Sequence, residues 1–314
     1  MRRWLLQRLL ALPLLLLAMS VLTFALVAAA PGDPVLTEAL RQGIALTPEN
    51  HAALQRQLGL DGSLAERYGR WLSATLSGDL GRSIASGRPV AQELSAHAGP
   101  TLLLAAVAFA LAVPLALLAG LAAALVRSAW AAACWRALVV LLVSLPGYWL
   151  ALLALYLFAV HWGLTRVIGQ AAPADLWLPA AVLALLIAAP VSRLIRDRAL
   201  QVMSEAPFRL ALAQGLSPAL LVLTRILPGT LVPSISLWAN AFGALLGGAV
   251  VIETVFGWPG LGRLVLQAIA ERDLPILQAY LLLMGVVYVC ANLLADALAA
   301  WLDPRIRAGI VGPQ

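Results

Sequence analysis

Residues 101–126, TLLLAAVAFALAVPLALLAGLAAALV, form a stretch without a single charged side chain. An α-helix rises about 1.5 Å per residue, so roughly 20 apolar residues cross the ~30 Å hydrocarbon core of a bilayer. The whole chain has a similar character, since 62% of its 314 residues are hydrophobic and only 11% are charged. Soluble domains carry about 25% charged residues. The sequence therefore predicts an all-α integral membrane protein.

Apolar runs of this kind occur six times, and they predict six transmembrane helices. They cover residues 9–32, 101–126, 137–160, 176–192, 226–252 and 274–295. The first run follows three arginines and ends in Ala28-Ala29-Ala30, a pattern that also fits a cleaved signal peptide. Because its apolar core exceeds the roughly 7–15 residues of such peptides, we favour a first transmembrane helix.

The arginines indicate the orientation, because cytoplasmic loops carry an excess of positive charge. With the N-terminus inside, 12 arginines fall in inner segments and three in short outer loops. Both termini are therefore expected in the cytoplasm. Residues 1–32 would hold the N-terminus and first helix, and residues 33–99 a small external helical domain. Residues 100–302 would form a five-helix core, followed by a cytoplasmic tail at 303–314.

Composition also excludes several chemistries. The chain contains no lysine, so it has neither a Walker A phosphate-binding lysine nor an amine for Schiff-base chemistry. Its two cysteines and three histidines lack metal-ligand spacing, and no G-x-S-x-G nucleophile motif occurs. We expect a chain that is not an enzyme and that binds no metal or cofactor itself.

The stretch SEAPFRLALAQGLSP, residues 204–218, predicts a short separate helix. Ser204 is expected to be its N-cap, Glu205 complements the helix dipole, and Pro207 is tolerated in the first turn. Gly215 is expected to end the helix, and Ser217 to cap the next one. A helix of about ten residues is roughly 15 Å long, too short to cross a membrane.

One side of this short helix is expected to be apolar, with Phe208, Ala211, Leu212 and Gly215 clustered there. Such a helix at the cytoplasmic surface either lies in the lipid interface or fits a groove on a partner protein. The residues alone leave both alternatives open.

The segment ETVFGWPGLGR, residues 253–263, places Glu253 at the outer end of an apolar run and follows it with turn-forming residues. Around Trp258 and Pro259 it predicts a gate-like or re-entrant loop, or else a tight connection anchored at the interface. Glu253 could form a salt bridge with a partner subunit.

The segment SISLWANAFGALLGG, residues 234–248, combines small residues with polar groups inside an apolar run. Small residues such as Gly243 permit close helix packing, and Asn240 is a polar group at mid-membrane. We expect Trp238, Asn240 and Gly243 to line a translocation path. A simple interhelical hydrogen bond is the alternative for Asn240.

Seven fragments extend these observations along the chain. They are RRWLLQRLL (2–10), VLTFALVAAAPGDPV (21–35), LGLDGSLAERYGRWL (58–72), GDLGRSIASGRPV (78–90), LLGGAVVIETVFGWPGLGR (245–263), AIAERDLPILQ (268–278) and LDPRIR (302–307). In this order the chain resembles the permease subunits of binding-protein-dependent ABC importers, in the branch for dipeptides, oligopeptides and nickel. The resemblance runs nearly end to end and implies a type I importer permease fold.

By this resemblance, residues 196–233 are the coupling loop, in which a short cytoplasmic helix docks in a cleft of an ATPase subunit. The residues assigned to this contact are Glu205, Ala206, Phe208, Arg209, Ala211, Ala213, Gly215 and Pro233. Pro228 and Gly229 depart from the family, which commonly holds an Arg-Asn pair there, so the contacts of that pair are not carried over.

The resemblance also implies an assembly in the bacterial inner membrane. Its other parts would be a second homologous permease, two ATPase subunits that bind ATP and Mg, and a periplasmic solute-binding protein. Lipid surrounds the helices, and no nucleic-acid partner is implied. Residues 33–49 and 161–176 favour the nickel branch or a metal chelate over di- and oligopeptides. The alternative class, an ion-driven secondary transporter, predicts ionisable groups at the midplane, whereas the runs here are nearly uncharged.

Overall fold

The computed structural model of the chain describes residues 2–29, 33–45, 47–166 and 173–302. These ranges are helical and contain no β-strand, only an isolated bridge between Arg82 and Pro89. Helices α1 to α7 are Arg2–Ala28, Pro34–Gln42, Pro48–Gln57, Leu64–Leu76, Val90–Leu125, Ala129–Ser144 and Gly147–Leu155. Helices α8 to α13 are Trp177–Ser204, Ala206–Ala213, Pro218–Leu221, Leu227–Val255, Leu261–Glu271 and Leu274–Leu302.

Three helical segments in the described ranges are long and apolar enough to cross a membrane: Val90–Leu125, Trp177–Ser204 and Leu274–Leu294. A fourth is added if the bent pair of α6 and α7 counts as one span. The all-α membrane class is confirmed, whereas the number of six spans stays a prediction.

The third apolar run, predicted at 137–160, is not one straight helix. Helix α6 ends at Ser144, and the chain then bends by 101° before continuing through α7 and a π-helical turn, Tyr156–His161. Pro146 explains the break, because a residue that precedes proline avoids the helical region. Leu145 is accordingly extended, with ψ 132°.

The fourth run, predicted at 176–192, is also different, because α8 continues to Ser204. This helix is the most enclosed of the three, with 61% of its apolar window buried against 28% for α5 and 22% for α13. Helix α5 approaches it closely at Gly120, where a Cβ atom would lie 2.6 Å from the Ser192 carbonyl oxygen. Beyond the apolar part, the Arg196 guanidinium lies 5.5 Å from the Trp135 ring centroid.

The chain divides into two compact units. The first comprises Met1–Gly99 and Leu264–Val289, and the second comprises Pro100–Arg263 and Cys290–Gln314. In the first unit, the side chains of Asp33, Thr47 and Ser63 cap the N-termini of α2, α3 and α4. Val35 and Leu54 belong to the small apolar core that joins α2 to α3. The predicted external domain, 33–99, thus lies in this unit, and its external location stays a prediction.

Two further contacts hold the first unit together. An aromatic cluster joins α1 to α4, with the Phe24 and Tyr68 ring centroids 5.4 Å apart and the Ser20 hydroxyl 2.8 Å from the Tyr68 hydroxyl. The buried Asp273 carboxylate accepts hydrogen bonds from the Ser83 hydroxyl and, at 3.2 Å, from the Ala85 amide. This unit is therefore organised by polar caps and aromatic contacts as well as by apolar burial.

Candidate functional site

The short helix predicted at 204–218 is present as α9, with different bounds. It has eight residues, Ala206–Ala213, and follows α8 after a single extended residue, Glu205, with ψ 151°. The prediction of Ser204 as the N-cap is wrong. Ser204 is the last residue of α8, and its hydroxyl donates to the Gln201 carbonyl oxygen at 2.7 Å. Because α8 extends beyond its apolar part, Glu205 becomes the boundary, and its side chain forms no capping hydrogen bond.

One face of α9 is held by the second unit. Phe208 is 8% exposed and Ala211 is 2% exposed. They belong to a cluster of buried residues from four other segments, namely Ala124, Ala199, Leu221 and Ile226. The end of α5, the charged half of α8, the end of α10 and the residue directly before α11 are therefore joined to α9 through this cluster, which we call the α9 anchor.

The rest of the α9 surface is open. Leu210 is 61% exposed and Leu212 is 55% exposed, so the expectation that Leu212 shares the buried face is wrong. Gly215, expected on that face too, is exposed as well. With only eight residues, α9 buries just two positions one turn apart, and its other positions remain outside.

The remaining polar and small residues of α9 also lie on the surface. They are Ala206, Arg209 and Ala213, and Glu205, which directly precedes α9, is exposed too. The ion pairs in the described part of the chain do not include Glu205 with Arg209, although the two are four residues apart. Every sequence-predicted contact residue of the coupling loop except Phe208 and Ala211 is therefore accessible or, for the Pro233 side chain, outside the described residues.

The end of α9 follows the prediction. Gly215 has φ +80°, a backbone conformation that favours glycine, and the Leu216 amide donates back to the Ala211 carbonyl oxygen at 3.3 Å. Ser217 then caps α10 through a 3.4 Å hydrogen bond from the Leu220 amide.

The departure from the family pattern at Gly229 has a packing reason that the sequence does not show. A Cβ atom at Gly229 would lie 2.8 Å from Cγ2 of Val202, so α11 and α8 approach closely at this point. A bulky polar residue would not fit this contact without a shift of one helix. In this chain, α8 and α11 pack closely at a position where the family commonly has a polar side chain.

The segment 253–263, which we call the Glu253 turn, is a tightly bonded connection. Glu253 lies in the last turn of α11 and is fully buried. Its carboxylate accepts hydrogen bonds from the Thr101 hydroxyl at 2.6 Å, the Gly262 amide at 2.7 Å and the Arg263 amide at 3.2 Å. Two of these donors are the first free amides of α12, so the acid caps that helix. Thr101 was not predicted, because it lies far away in sequence.

Other residues of the Glu253 turn close around the same acid. The Leu261 amide donates to the Thr101 hydroxyl at 2.8 Å, and the Trp258 indole donates to the Pro100 carbonyl oxygen at 2.9 Å. A Cβ atom at Gly260 would lie 2.3 Å from the Glu253 side chain. Pro259 is half-buried beside this glycine. Of the two predicted alternatives, the geometry within the second unit resembles the tight connection.

The candidate path residues lie along α11. Trp238 is buried, and its ring packs edge-on against Phe109, with the ring centroids 5.8 Å apart. The Phe109–Phe242 distance is 5.7 Å. Within the described ranges the Trp238 indole nitrogen has no hydrogen-bond partner. Gly243 is half-buried, and the Asn240 side chain falls outside the described residues.

Two family models match the chain. "Binding-protein-dependent transport system inner membrane component" covers residues 112–308, and the corresponding N-terminal model covers residues 1–91. A putative peptide transport system permease of Brucella abortus (strain 2308) is 36% identical over 305 residues, covering 95% of this chain and 96% of that protein. A glutathione transport system permease of Salmonella paratyphi A is 36% identical over 311 residues, covering 98% and 99%.

Among solved structures, an inward-facing MetNI methionine ABC transporter has a similar chain. Its TM-score is 0.60 at 17% sequence identity, and the match covers 68% of this chain and 97% of that one. At this identity the likeness concerns the fold, which agrees with the expected type I importer permease.

Proposed function

This chain belongs to the inner membrane components of binding-protein-dependent transport systems, and we propose that it passes short peptides inward through an ABC importer driven by separate ATPase subunits. As a member it is a permease subunit and not an enzyme. The observation that carries the proposal is α9, an apolar helix buried on one side and open on the other.

The open side of α9 is proposed as the ATPase contact. Leu210 and Leu212 offer apolar surface, and Glu205 and Arg209 offer charges of both signs beside it. A helix that presents such a face suits a groove on a partner protein. The small residues Ala206, Ala213 and Gly215 would permit a close approach, and Pro233 would close the motif.

The buried side would transmit the motion. Phe208 and Ala211 pack in the α9 anchor with residues of α5 and α8 and with Ile226, which directly precedes α11. A displacement of α9 would therefore move α5, α8 and the start of α11 together. If ATP binding closes two ATPase subunits, the permease would be shifted between inward-open and outward-open states. ATP and Mg would be held by those subunits, and this chain would bind no cofactor.

The translocation path is proposed along α11. Trp238, Asn240 and Gly243 would contribute to its wall. Glu253, Trp258 and Pro259 would hold the outer end of that helix in a fixed arrangement rather than serve as a flexible gate. The bonds that Glu253 makes within its own chain support this role, which replaces the expected salt bridge to a partner subunit.

Peptides replace nickel as the proposed cargo. The relatives described above are named for peptide and glutathione transport, and nickel or a metal chelate, favoured by loop lengths, finds no support in them. In the described part of the chain, no three His, Cys, Asp or Glu residues are grouped so as to hold a metal ion.

The proposed assembly places both termini in the cytoplasm and residues 33–99 outside. A second homologous permease would complete the channel, two ATPase subunits would lie on the cytoplasmic side, and a periplasmic solute-binding protein would deliver peptide. Six membrane spans remain part of this proposal.

Proteoliposomes that contain the whole assembly test the function. We expect the proteoliposomes to take up labelled glutathione or leucyl-leucine when ATP is supplied on the side of the ATPase subunits. This uptake should need no ion gradient. Uptake that requires a proton or sodium gradient and ignores ATP would contradict the proposal and favour a secondary transporter. Uptake of free nickel in the absence of peptide would contradict the proposal that the cargo is a peptide.

A further inference from the structure

Arg196 of α8 is held against α6 by an aromatic ring. Its guanidinium carbon lies 5.5 Å from the centroid of the Trp135 ring, within the ~6 Å over which a cation is attracted to an aromatic face. Both residues belong to the second unit. Neither is assigned to the ATPase contact or to the translocation path. A guanidinium is therefore fixed between two helices at a place that has no role so far.

The hydrogen-bonding capacity of Arg196 is only partly used. Its side chain is 18% exposed, and Nη1 lies 3.3 Å from the carboxylate of the neighbouring Asp197, which is 55% exposed. Among the residues that the structure describes, the buried Nε has no hydrogen-bond partner and Nη2 has no acceptor. A guanidinium carries five N–H donors, and an ion pair with an exposed carboxylate contributes little. Arg196 thus retains donors for an anionic group.

A second arginine lies on the same side of α8. Arg193 precedes Arg196 by three residues, a spacing that places two side chains on one face of a helix. It is exposed, and the ion pairs of the described ranges do not include it. Two arginines beside the single acid Asp197 leave a net positive charge. Such a pair suits a phosphate, because guanidinium N–H groups match phosphate oxygens in bidentate geometry.

The position of the two arginines along the helices indicates a membrane lipid as the source of the phosphate. The uncharged part of α8 ends at Ser192, directly before Arg193. Near the start of α6, Trp130 is 79% exposed. Tryptophan is enriched where the hydrocarbon core meets water, and basic residues flank membrane-spanning helices at the same level. The phosphates of the lipids lie at this boundary.

Exposed leucines of α6 continue from the same place. Leu138 follows Trp135 by three residues and Leu141 follows by three more, so the three side chains lie along one side of α6. The two leucines are 53% and 56% exposed. At 1.5 Å per residue, Leu141 lies about 9 Å from Trp135 along the helix. A free phosphate ion would leave these leucines uncovered, whereas an acyl chain would cover them.

We propose that an anionic phospholipid binds here, with its phosphate at Arg193 and Arg196 and an acyl chain along Leu138 and Leu141. Basic sites between membrane helices bind anionic headgroups, whereas the choline of phosphatidylcholine would bring a positive charge to the arginines. The bound lipid would hold the charged half of α8 at the membrane surface, three residues before Ala199 of the α9 anchor. This site does not depend on the solute carried, so it goes beyond the proposed function.

Thermal unfolding of the full assembly in maltoside detergent tests the site, with phosphatidylglycerol or phosphatidylcholine added. A ligand that binds the folded form raises the unfolding temperature as its concentration rises. We expect phosphatidylglycerol to raise it more than phosphatidylcholine does. Arg196→Gln should need about tenfold more phosphatidylglycerol for the same rise, the loss expected for a hydrogen bond between charged groups. With phosphatidylcholine this variant should unfold as the unaltered assembly does, which separates lost binding from misfolding.

Arg198→Gln is the matched control, because it removes the same charge from the same helix. Arg198 is exposed and donates to the Gln201 side chain at 3.1 Å. It lies two residues from Arg196, so the two side chains do not share a face. Its response to phosphatidylglycerol should equal that of the unaltered assembly. Equal losses in Arg196→Gln and Arg198→Gln would show a general effect of charge and would overturn the site.

Native mass spectrometry of the same samples counts the lipids that stay bound. We expect phosphatidylglycerol to be retained in preference to phosphatidylcholine, and fewer molecules to be retained by Arg196→Gln and by Trp135→Leu than by Arg198→Gln. Inorganic phosphate alone should not raise the unfolding temperature. A rise with inorganic phosphate that Arg196→Gln removes would overturn the proposal in favour of a free-anion site. Loss of ATPase subunits from Arg196→Gln with an unchanged lipid count would overturn it in favour of a protein contact.

Discussion

Helix α9 and the Glu253 turn each follow a long helix of the second unit, and they differ in how their buried and exposed groups are paired. In α9 two residues are buried, while Leu210 and Leu212 stay exposed on the rest of its surface. In the Glu253 turn the acid and Trp258 are both buried, and each forms hydrogen bonds within the chain. One connection leaves apolar surface for a partner, and the other holds its own ends together.

The two connections between helices therefore serve different purposes. The Glu253 turn surrounds the Glu253 carboxylate with N–H and O–H donors. Movement of the turn would break these buried hydrogen bonds and therefore cost free energy. The α9 anchor relies on apolar contact alone, and this contact transmits displacement without specifying a unique bonded geometry. We therefore expect substitutions in the turn to change stability and substitutions on the open face of α9 to change coupling.

The largest effect on stability is expected from Glu253→Gln. An amide has one acceptor oxygen where the carboxylate has two, so a buried donor would lose its acceptor, and the free energy of unfolding should fall by about 3 kcal/mol. Thermal unfolding of the purified full chain measures this. Glu271→Gln is the control, since Glu271 is exposed and accepts only a 2.9 Å bond from Gln267 among the contacts described. Equal melting of both variants would show that the turn is not a rigid joint.

A smaller loss is expected from Gly229→Leu. The added side chain would meet Val202 of α8, and overpacking of this kind costs about 1–3 kcal/mol. The double variant with Val202→Ala should recover much of the loss, because the clashing methyl groups are removed. Absence of such recovery in the same unfolding measurement would mean that the two residues do not limit the approach of α8 and α11.

Ser63→Ala should cost about 1 kcal/mol of local stability in α4, because the capping hydroxyl is lost. The backbone hydrogen bond from Ser63, then its side-chain bond, lowers the pKa of Glu66 below 4.5. The ionised acid thus stabilises the folded form above pH 4.5, and this contribution is lost as the pH falls through the lowered pKa. Amide hydrogen exchange in α4 should show the loss, and Glu66→Gln should remove this pH dependence. A pH profile unchanged in Glu66→Gln would contradict it.

The smallest effect on stability, within about 0.5 kcal/mol, is expected from the double variant Leu210→Glu with Leu212→Glu, since both side chains are exposed. Peptide-stimulated ATP hydrolysis should nevertheless be lost in the reconstituted assembly. Leu64→Glu with Leu76→Glu is the matched control, because those leucines are 60% and 79% exposed in the first unit. If peptide still stimulates ATP hydrolysis in the α9 variant, α9 does not couple the permease to the ATPase.

The sequence predicts the local chemistry of α9 better than its surroundings. Gly215 and Ser217 are predictable because backbone geometry and capping depend on neighbouring residues. Ser204 is misassigned because α8 continues through charged residues, supported by contacts with other helices. Leu212 is misplaced because two buried residues, rather than a full apolar stripe, decide which face of so short a helix is enclosed.

Distant partners account for the rest of what the sequence did not reveal. The role of Glu253 depends on Thr101, and the need for glycine at position 229 depends on Val202. Local patterns contain no information about either pair. The break at Pro146, by contrast, was open to prediction from the proline itself, and the apolar character of the run concealed it.

Site-specific photo-crosslinking tests the central claim, that the open face of α9 is the contact with the ATPase. A benzoylphenylalanine residue replaces Leu212 in one variant and Leu76 in another within the full assembly. We predict an adduct with the ATPase subunit from position 212, altered in yield by ATP, and none from position 76. An adduct from position 212 only with lipid, in an assembly that still hydrolyses ATP in response to peptide, would contradict the account.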